Sequence, residues 1–375
     1  VKDRCDVAIV GGGPAGSTCA WKLRESGLDV VIIDKAIFPR DKVCAGWITP
    51  QVLHDLRIDP GDYRERRILQ PIKGFRVGMI GSDHTVETSY HRAVSFGIRR
   101  CEFDDYLLQR SGARLLLGTP ISSIRRNDGR WVLNESVSAS MLIGAGGHFC
   151  PVAGMLNGPS EPAPLVVARE AEFAVDVRDA SAFTINAEQP ELYFCRDLTG
   201  YGWCFRKGAY LNVGFGCIGR HAVPRATAEF VTFLAAHKRM PATVSYPWRG
   251  HAYLLSGSLR RRAVDESVML IGDAAGLAYP QSGEGIRPAI ESGLMAASTI
   301  AHANGRYARD RLEPYEKRLQ ERFGAHSVAS LLSSAVHAMT PTALASLLLG
   351  TPWFVRHVVL DRWFLRAQEP PLVLA

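Results

Sequence analysis

The sequence predicts an α/β chain with two interleaved domains, one wound from β-α-β units and one α+β domain on a mainly antiparallel sheet, followed by a C-terminal helical tail. Three observations predict it. An apolar strand, a glycine-rich turn, a helix and a second apolar strand are compressed into the first 34 residues. Alternating apolar and polar residues recur over 72–96 and 165–217, the period of half-buried strands. A further apolar strand at Val268–Ile271 enters a second glycine-rich turn that opens a long helix.

Taken in order, residues 5–10 are apolar and end in Gly11-Gly12-Gly13; a helical stretch runs to Arg24, and Val30-Val31-Ile32-Ile33 ends at Asp34. Residues 72–96 alternate. From 97 to 150 a helix is expected around Phe103 to Leu108, and then a strand, Met141-Leu142-Ile143, that runs into Gly144-Ala145-Gly146-Gly147 and returns to the first domain. Residues 165–245 alternate again, as in Arg169-Glu170-Ala171-Glu172-Phe173-Ala174-Val175. The last helix of the first domain runs from about Ile286 to Ala303, and everything beyond Leu312 reads as helical tail. The first domain is thus expected at 1–71, 97–164 and 246–311, the second at 72–96 and 165–245, and the helical region at 312–375.

Composition narrows the classes. With 375 residues, 47% hydrophobic and 22% charged, the chain is an ordinary globular sequence and long for one compact unit, which excludes disordered and fibrous classes. The net charge of +7 comes from scattered residues with short clusters at Arg64–Arg67, Arg99-Arg100 and Arg260–Arg262. No aromatic-interleaved basic stripe accompanies them, so no nucleic-acid partner is expected. Cys5, Cys19, Cys44, Cys101, Cys150, Cys195, Cys204 and Cys217 form no C-x-x-C pair, which signals neither zinc nor a redox dithiol and fits reduced thiols in the cytoplasm. The N-terminus runs straight into a strand, and no secretory leader is expected. The tail is apolar in pieces, Leu344–Leu349 and Trp353–Leu360, divided by Pro341 and Pro352. No piece supplies the roughly 20 apolar residues of a spanning helix. Its helices either pack on the body, or present a face to a membrane surface or to an apolar substrate.

The first glycine turn carries chemistry. In Gly11-Gly12-Gly13-Pro14-Ala15-Gly16 the glycines permit a tight turn, a close approach of pyrophosphate to backbone, and close packing of helix on strand. The helix start presents free N–H groups and its positive dipole end. Asp34, with Lys35 beside it, ends the next strand, where a carboxylate holds a ribose hydroxyl. This is a Rossmann-like dinucleotide site. The second turn, Gly272-Asp273-Ala274-Ala275-Gly276 followed by Gly283-Glu284-Gly285-Ile286, pairs a carboxylate suited to a polyol with a helix start suited to developing negative charge.

As an ordered set these segments resemble the FAD-dependent oxidoreductases of the p-hydroxybenzoate hydroxylase-like fold, and within them the geranylgeranyl reductase family. The resemblance covers the chain to about residue 310. Gly272-Asp273 resembles the family's ribityl-binding segment, and Gly283, Gly285 and Ile286 its flavin-ring turn. Arg100-Cys101-Glu102-Phe103-Asp104 resembles a helix whose arginine approaches the FAD. Phe38 to Gly46, with Arg40, Cys44 and Ala45, resembles the stretch that reaches the flavin, and Gly146 the strand end beside it. Tyr201-Gly202-Trp203-Cys204-Phe205-Arg206-Lys207 with Gly214-Phe215-Gly216 is similar to the family pattern Y-x-W-x-F-P-K followed by G-x-G, with Arg206 in place of proline.

The resemblance implies FAD as cofactor and reduction of carbon–carbon double bonds in an isoprenoid or other apolar substrate, by hydride from reduced flavin. It implies Tyr201, Trp203 and Cys44 at the reacting end, and Tyr201, Trp203, Phe205, Lys207, Gly214 and Gly216 along the substrate. Cys44 reads as a plain buried residue more readily than as a reactive thiol. Two other readings stay open: oxygen chemistry, as in monooxygenases and halogenases of this fold, and a redox carrier without a small substrate. Gly146-Gly147 stands where aromatic hydroxylases carry Asp-Gly, and the halogenase pattern W-x-W-x-I-P is not kept at Tyr201 to Arg206. No second glycine fingerprint follows another strand, so the electron donor, NAD(P)H or a reduced protein carrier, is not specified.

Overall fold

The computed structural model describes residues 3–158, 165–175, 185–218, 223–240, 247–255, 261–324 and 342–374. Arg260 and the stretch from Val328 to Pro341 lie outside these residues.

The first sheet is wound around Asp3–Val10. That strand pairs in parallel with Val30–Ile33 on one side and with Val137–Gly144 on the other, and the parallel run continues to Arg114–Leu116 and Val268–Leu270 at its two flanks. Val30–Ile33, Val137–Gly144 and Val268–Leu270 are buried on both faces and Val7, Ala8 and Ile9 are fully enclosed, whereas the flanking Arg114–Leu116 is not. The helices Pro14–Leu23 and Ile286–Ala303 pack on each other and on the sheet. Chain order reverses between Asp3–Val10 and Val137–Gly144, because the strands after Asp3–Val10 first fill one side and then the other. The crevice outside the carboxyl ends at such a reversal is where open parallel sheets take ligands. Gly11, Asp34, Gly146 and Gly272 all sit just beyond those ends. The hairpin Ile124–Asn127 and Arg130–Leu133 extends one edge of this sheet antiparallel, a feature with no signal in the pattern analysis.

The second sheet has seven strands in the order Arg249–Leu254, Leu165–Ala174, Tyr210–Ile218, Gly200–Lys207, Glu191–Phe194, Gly74–Met79 and Thr85–Ser89. All its pairings are antiparallel except Glu191–Phe194 with Gly74–Met79. The expected boundary at 246 is corrected here: Arg249–Leu254 pairs along Leu165–Ala174, with Tyr253 opposite Val166 and His251 opposite Ala168. The expected end of the second domain's first piece shifts too, since Ser95–Ile98 leaves the large sheet and pairs with Trp47–Ile48 and Leu69–Ile72 in a small third sheet.

Strand periodicity sorts the second sheet's faces. Tyr193, Cys204, Phe215 and Val213 pack against the helix Val223–Ala236 through Phe230, Phe233 and Leu234. On the opposite face Trp203 and Phe205 join Trp47, Phe75, Phe194 and the tail residues Val355, Val359, Leu360 and Phe364. The tail is helical over Thr342–Leu349 and from Pro352 to Phe364. It therefore packs on the body, and among the described residues no helix is long and apolar enough to cross a membrane.

Candidate active site

One cavity of about 630 Å³ runs from the first sheet's strand ends to the aromatic face of the second. At one end lie Asp34, Lys35 and Thr119 to Ile121; in the middle Gly11, Gly13, Pro14, Ala15, Arg40, Arg100, Gly146 and Asp273; at the other end Cys44 to Trp47, Leu192, Tyr201, Trp203, Gly283 to Ile286 and Phe364.

The narrow middle is shaped by backbone contact. Gly11 has φ +114°, and a Cβ there would stand 2.4 Å from the Ala145 carbonyl oxygen, so no other residue fits the turn. The helix Pro14–Leu23 starts behind Gly13 without a side-chain cap, which leaves its first N–H groups facing the cavity. The carboxylate of Asp34 accepts the Gly12 N–H at 2.7 Å and the Ala36 N–H at 2.8 Å, bracing the turn from the neighbouring strand. Gly16 and Gly272 lie behind the wall, Gly16 against Gly11 and Gly272 against Ala15 and Ala289.

Cations gather beside this turn. Arg100 makes a bidentate bond to the fully buried Asp104, 2.7 Å on each oxygen, and Arg40 approaches the same carboxylate at 3.1 Å. Arg40 Nη1, the atom of this ion pair, is buried. Two arginines on one carboxylate leave net positive charge by the helix start, the arrangement that holds a pyrophosphate. Lys42 reaches the His251 ring at 2.6 Å. Burial pulls Lys42 down to about 8, and burial with the nearby Lys42 and Arg100 charges pulls His251 down to about 3, so the imidazole is neutral and accepts.

The far end is an apolar chamber. Trp203 and Tyr201 form one wall, with Tyr201 against Phe364 at 5.4 Å between ring centroids. The Tyr201 hydroxyl donates to the Ser282 carbonyl, and burial holds its pKa far above the usual phenol range. Trp203 Nε1 donates to Asn212 at 2.8 Å, and Asn212 in turn donates to Glu170 at 2.7 Å and Glu172 at 3.0 Å. Glu170 accepts the Cys44 N–H, and burial raises it to about 7. Cys44 is half-buried on the chamber edge, its sulfur accepting the Gly46 N–H at 3.3 Å.

Four residues expected along the substrate are placed elsewhere. Phe205 and Lys207 are fully enclosed beyond the chamber, because two and four residues along a strand from Trp203 carry them roughly 7 and 13 Å further, under the small third sheet. Lys207 Nζ there donates to the Ile98 carbonyl at 2.9 Å and to Glu172 at 2.6 Å. Gly214 and Gly216 lie opposite Trp203 and Tyr201 on the next strand. A Cβ on Gly214 would meet the Trp203 ring at 2.1 Å, so this glycine is the seat of the indole and touches no ligand space. Lys42, Glu170, Asn212, His251, Glu284 and Phe364 were not singled out from the sequence. Glu170 and Glu172 did carry a signal, two carboxylates facing inward on an otherwise apolar strand.

The cradle fits FAD: a glycine turn that admits no Cβ, an uncapped helix start with Arg40 and Arg100 beside it, Asp34 at the nucleoside end and Asp273 beside the second glycine turn. Fold and site define an FAD-dependent oxidoreductase. Residues 6–83 match the family described as FAD dependent oxidoreductase. The digeranylgeranylglycerophospholipid reductase of Methanothrix thermoacetophila is 30% identical over 341 residues, covering 86% of this chain and 84% of that protein. The menaquinone reductase of Mycolicibacterium smegmatis is 31% identical over 324 residues, covering 79% and 76%. A crystal structure of a geranylgeranyl bacteriochlorophyll reductase-like protein from Thermoplasma acidophilum superposes with a TM-score of 0.78 at 23% identity, over 93% of this chain and 91% of that one. The chain belongs to the geranylgeranyl reductase family of FAD-dependent oxidoreductases.

Proposed function

We propose that this enzyme saturates carbon–carbon double bonds in the prenyl chain of a membrane lipid. The observation that carries the reading is the continuity of one cavity from a dinucleotide cradle to a chamber walled by Leu192, Tyr201, Trp203, Ala168, Trp47 and Phe364. Such a chamber takes an apolar chain and excludes water. The names of the two relatives, a menaquinone reductase and a digeranylgeranylglycerophospholipid reductase, support a prenyl lipid as substrate class.

When bound, reduced FAD supplies the hydride. Gly11, Gly13, Ala15, Arg40, Arg100 and Gly146 hold the pyrophosphate region, Asp34 and Lys35 the nucleoside, and Asp273 the ribityl chain. Gly283, Gly285, Ile286, Ala45 and Cys44 line the end of the cavity that would take the ring. Tyr201 and Trp203 would position the alkene at that end, Trp203 held in place by Asn212 and by its glycine seat. Leu347 and Trp353, 67% and 64% exposed on the tail, support a cytoplasmic enzyme that takes its lipid from a membrane surface.

The test is anaerobic. The FAD-loaded protein is photoreduced and mixed with a menaquinone or a digeranylgeranyl phospholipid, and flavin absorbance and lipid mass are followed. Reoxidation with gain of two hydrogens per double bond is the expected result. Reoxidation by oxygen alone, with the lipids unchanged, would replace alkene reduction by oxygen chemistry.

A further inference from the structure

The last helix of the tail stops at Phe364, and the chain turns away through Arg366 at φ +48°. The Leu365 N–H donates to the Leu360 carbonyl at 2.8 Å and the Ala367 N–H to the Asp361 carbonyl at 2.9 Å, which closes that end. A helix that finishes in a left-handed residue ordinarily places glycine there, because a Cβ crowds the backbone in that conformation. A residue with a side chain persists in it where its surroundings hold it. Arg366 is buried and held on three sides. Its guanidinium lies 3.4 Å from the centre of the Tyr279 ring, Nη2 donates to Gln281 Oε1 at 3.1 Å, and Nη1 donates to Glu369 Oε1 at 2.6 Å. The other oxygen of Glu369 accepts the Tyr279 hydroxyl at 3.2 Å and stands 3.5 Å from Arg287 Nη2.

Tyr279 and Gln281 belong to the loop that leads into the second glycine turn. That loop closes on itself: the Gly283 N–H donates to the Tyr279 carbonyl at 2.8 Å, and the Tyr279 N–H to the Glu284 carbonyl at 2.9 Å. A grip on Tyr279 and Gln281 is therefore a grip on the backbone of Gly283 and Glu284, which line the cavity. The second sheet meets the same loop from the other side. The Tyr201 hydroxyl donates to the Ser282 carbonyl, and Tyr253 packs so closely that a Cβ on Gly283 would stand 2.2 Å from its hydroxyl. Tyr201 in turn packs on Phe364, two residues before Arg366. The contacts form a closed circuit from Phe364 through Tyr201, Ser282, Tyr279 and Gln281 to Arg366. One wall of the chamber and the turn at the ring end of the cavity are thereby fixed to the same short piece of the tail.

We propose that Arg366 is the positioning residue of the second glycine turn, setting the backbone of Gly283 to Gly285, and the flavin ring this turn would meet, against the substrate wall. It acts through Tyr279 and Gln281 and does not itself line the cavity. The inference rests on the FAD assignment and is independent of which lipid is reduced. Its chemical weight comes from alignment: a displacement of about 1 Å between hydride donor and acceptor is enough to slow the transfer on the order of 100-fold.

Arg366→Gly suits a backbone at φ +48°, so it removes the clamp while keeping the helix end. Because it leaves Glu369 without that arginine, Arg366→Gly with Glu369→Gln is the second variant. Amide exchange of the FAD-loaded proteins is followed by mass spectrometry. Peptides over 279–286 are expected to exchange about 10-fold or more faster in both variants, and those over 11–20 at the wild-type rate. The bound-flavin absorption is expected to shift towards that of free FAD, with FAD affinity within about 10-fold of wild type. Arg366→Lys, which keeps the charge over Tyr279 but not the fork, is expected to fall between. In anaerobic reoxidation by the menaquinone or the digeranylgeranyl phospholipid, the rate at saturating lipid is expected to drop on the order of 10-fold or more in both Gly variants, with the half-saturating lipid concentration within about 3-fold. Wild-type exchange over 279–286 with unshifted absorption overturns the proposal, whatever the lipid does. Faster exchange throughout the chain overturns it too, since that marks a role in the fold alone, and so does faster exchange over 279–286 with an unchanged reoxidation rate. No reoxidation of wild type by either lipid removes alkene reduction, and the exchange and absorption results then decide the positioning of the turn by themselves.

Discussion

Asp273 lies in the short helical turn Gly272–Ala274, at the waist of the cavity. Its carboxylate is placed to accept hydrogen bonds from a polyol, and a charge-assisted bond is worth about 1.5–3 kcal/mol. Asp273→Ala is accordingly expected to weaken FAD binding by roughly 10–150-fold in a fluorescence titration of apoprotein, with the fold unchanged. His251 makes a prediction of opposite kind. Its folded pKa is depressed to about 3 from an ordinary value of 6.5, so the unfolded chain takes up a proton below pH 6.5 that the folded one refuses. The stability this group contributes is intact above 6.5 and is lost as pH falls towards 3, by up to about 1.4 kcal/mol per pH unit. His251→Gln keeps an acceptor for Lys42 and has no such linkage. Denaturation midpoints of the two proteins should diverge in favour of the variant as pH drops below 6.5 and run parallel above it.

At the scale of elements, the strand pair Gly200–Lys207 and Tyr210–Ile218 does two jobs at once. Its side-chain alternation puts Tyr201 and Trp203 in the chamber, and the missing side chain of Gly214 gives the indole a flat bed. Gly214→Ala would drive a methyl into that ring. The expected cost is about 1–3 kcal/mol, read by urea denaturation, with a shift in tryptophan emission as the indole tips into the chamber. The tail makes a separate prediction. Leu347→Ser with Trp353→Ser alters two exposed positions, so stability should move by less than about 0.5 kcal/mol each, while cosedimentation with anionic phospholipid vesicles falls. Binding that is unaffected would place the membrane-facing surface elsewhere. These elements also show why part of the site was hard to read. The glycine turns, Asp34 and Arg100 follow from residues a few positions apart, and the structure sets them around one cavity. The burial of Lys207 depends on Trp47–Ile48, Leu69–Ile72 and Ser95–Ile98 meeting over its strand, and no local pattern announces that meeting. Phe364 enters the chamber from a helix more than 150 residues beyond its partners Tyr201 and Phe194.

For the whole molecule, the centre of the parallel sheet was legible because Asp3–Val10, Val137–Gly144 and Val268–Leu270 carry apolar runs that lead into glycine and Val30–Ile33 one that ends at Asp34, whereas Arg114–Leu116 carries no such signal. The chain's return to the first sheet was legible from a strand that leads into glycine at Gly144 and again at Gly272. The strand Arg249–Leu254 was misplaced because a half-exposed edge strand has little hydrophobic contrast. One feature of this architecture bears on how such an enzyme changes. The dinucleotide cradle is assembled from pieces scattered between residues 11 and 286, whereas the tail, which carries the docked pair Arg366 and Glu369, adds Phe364 to the chamber wall. Substitutions at that position can reshape the room for a lipid without replacing any residue of the cradle. A change at Phe364 acts on the chamber from outside every segment that builds the cradle.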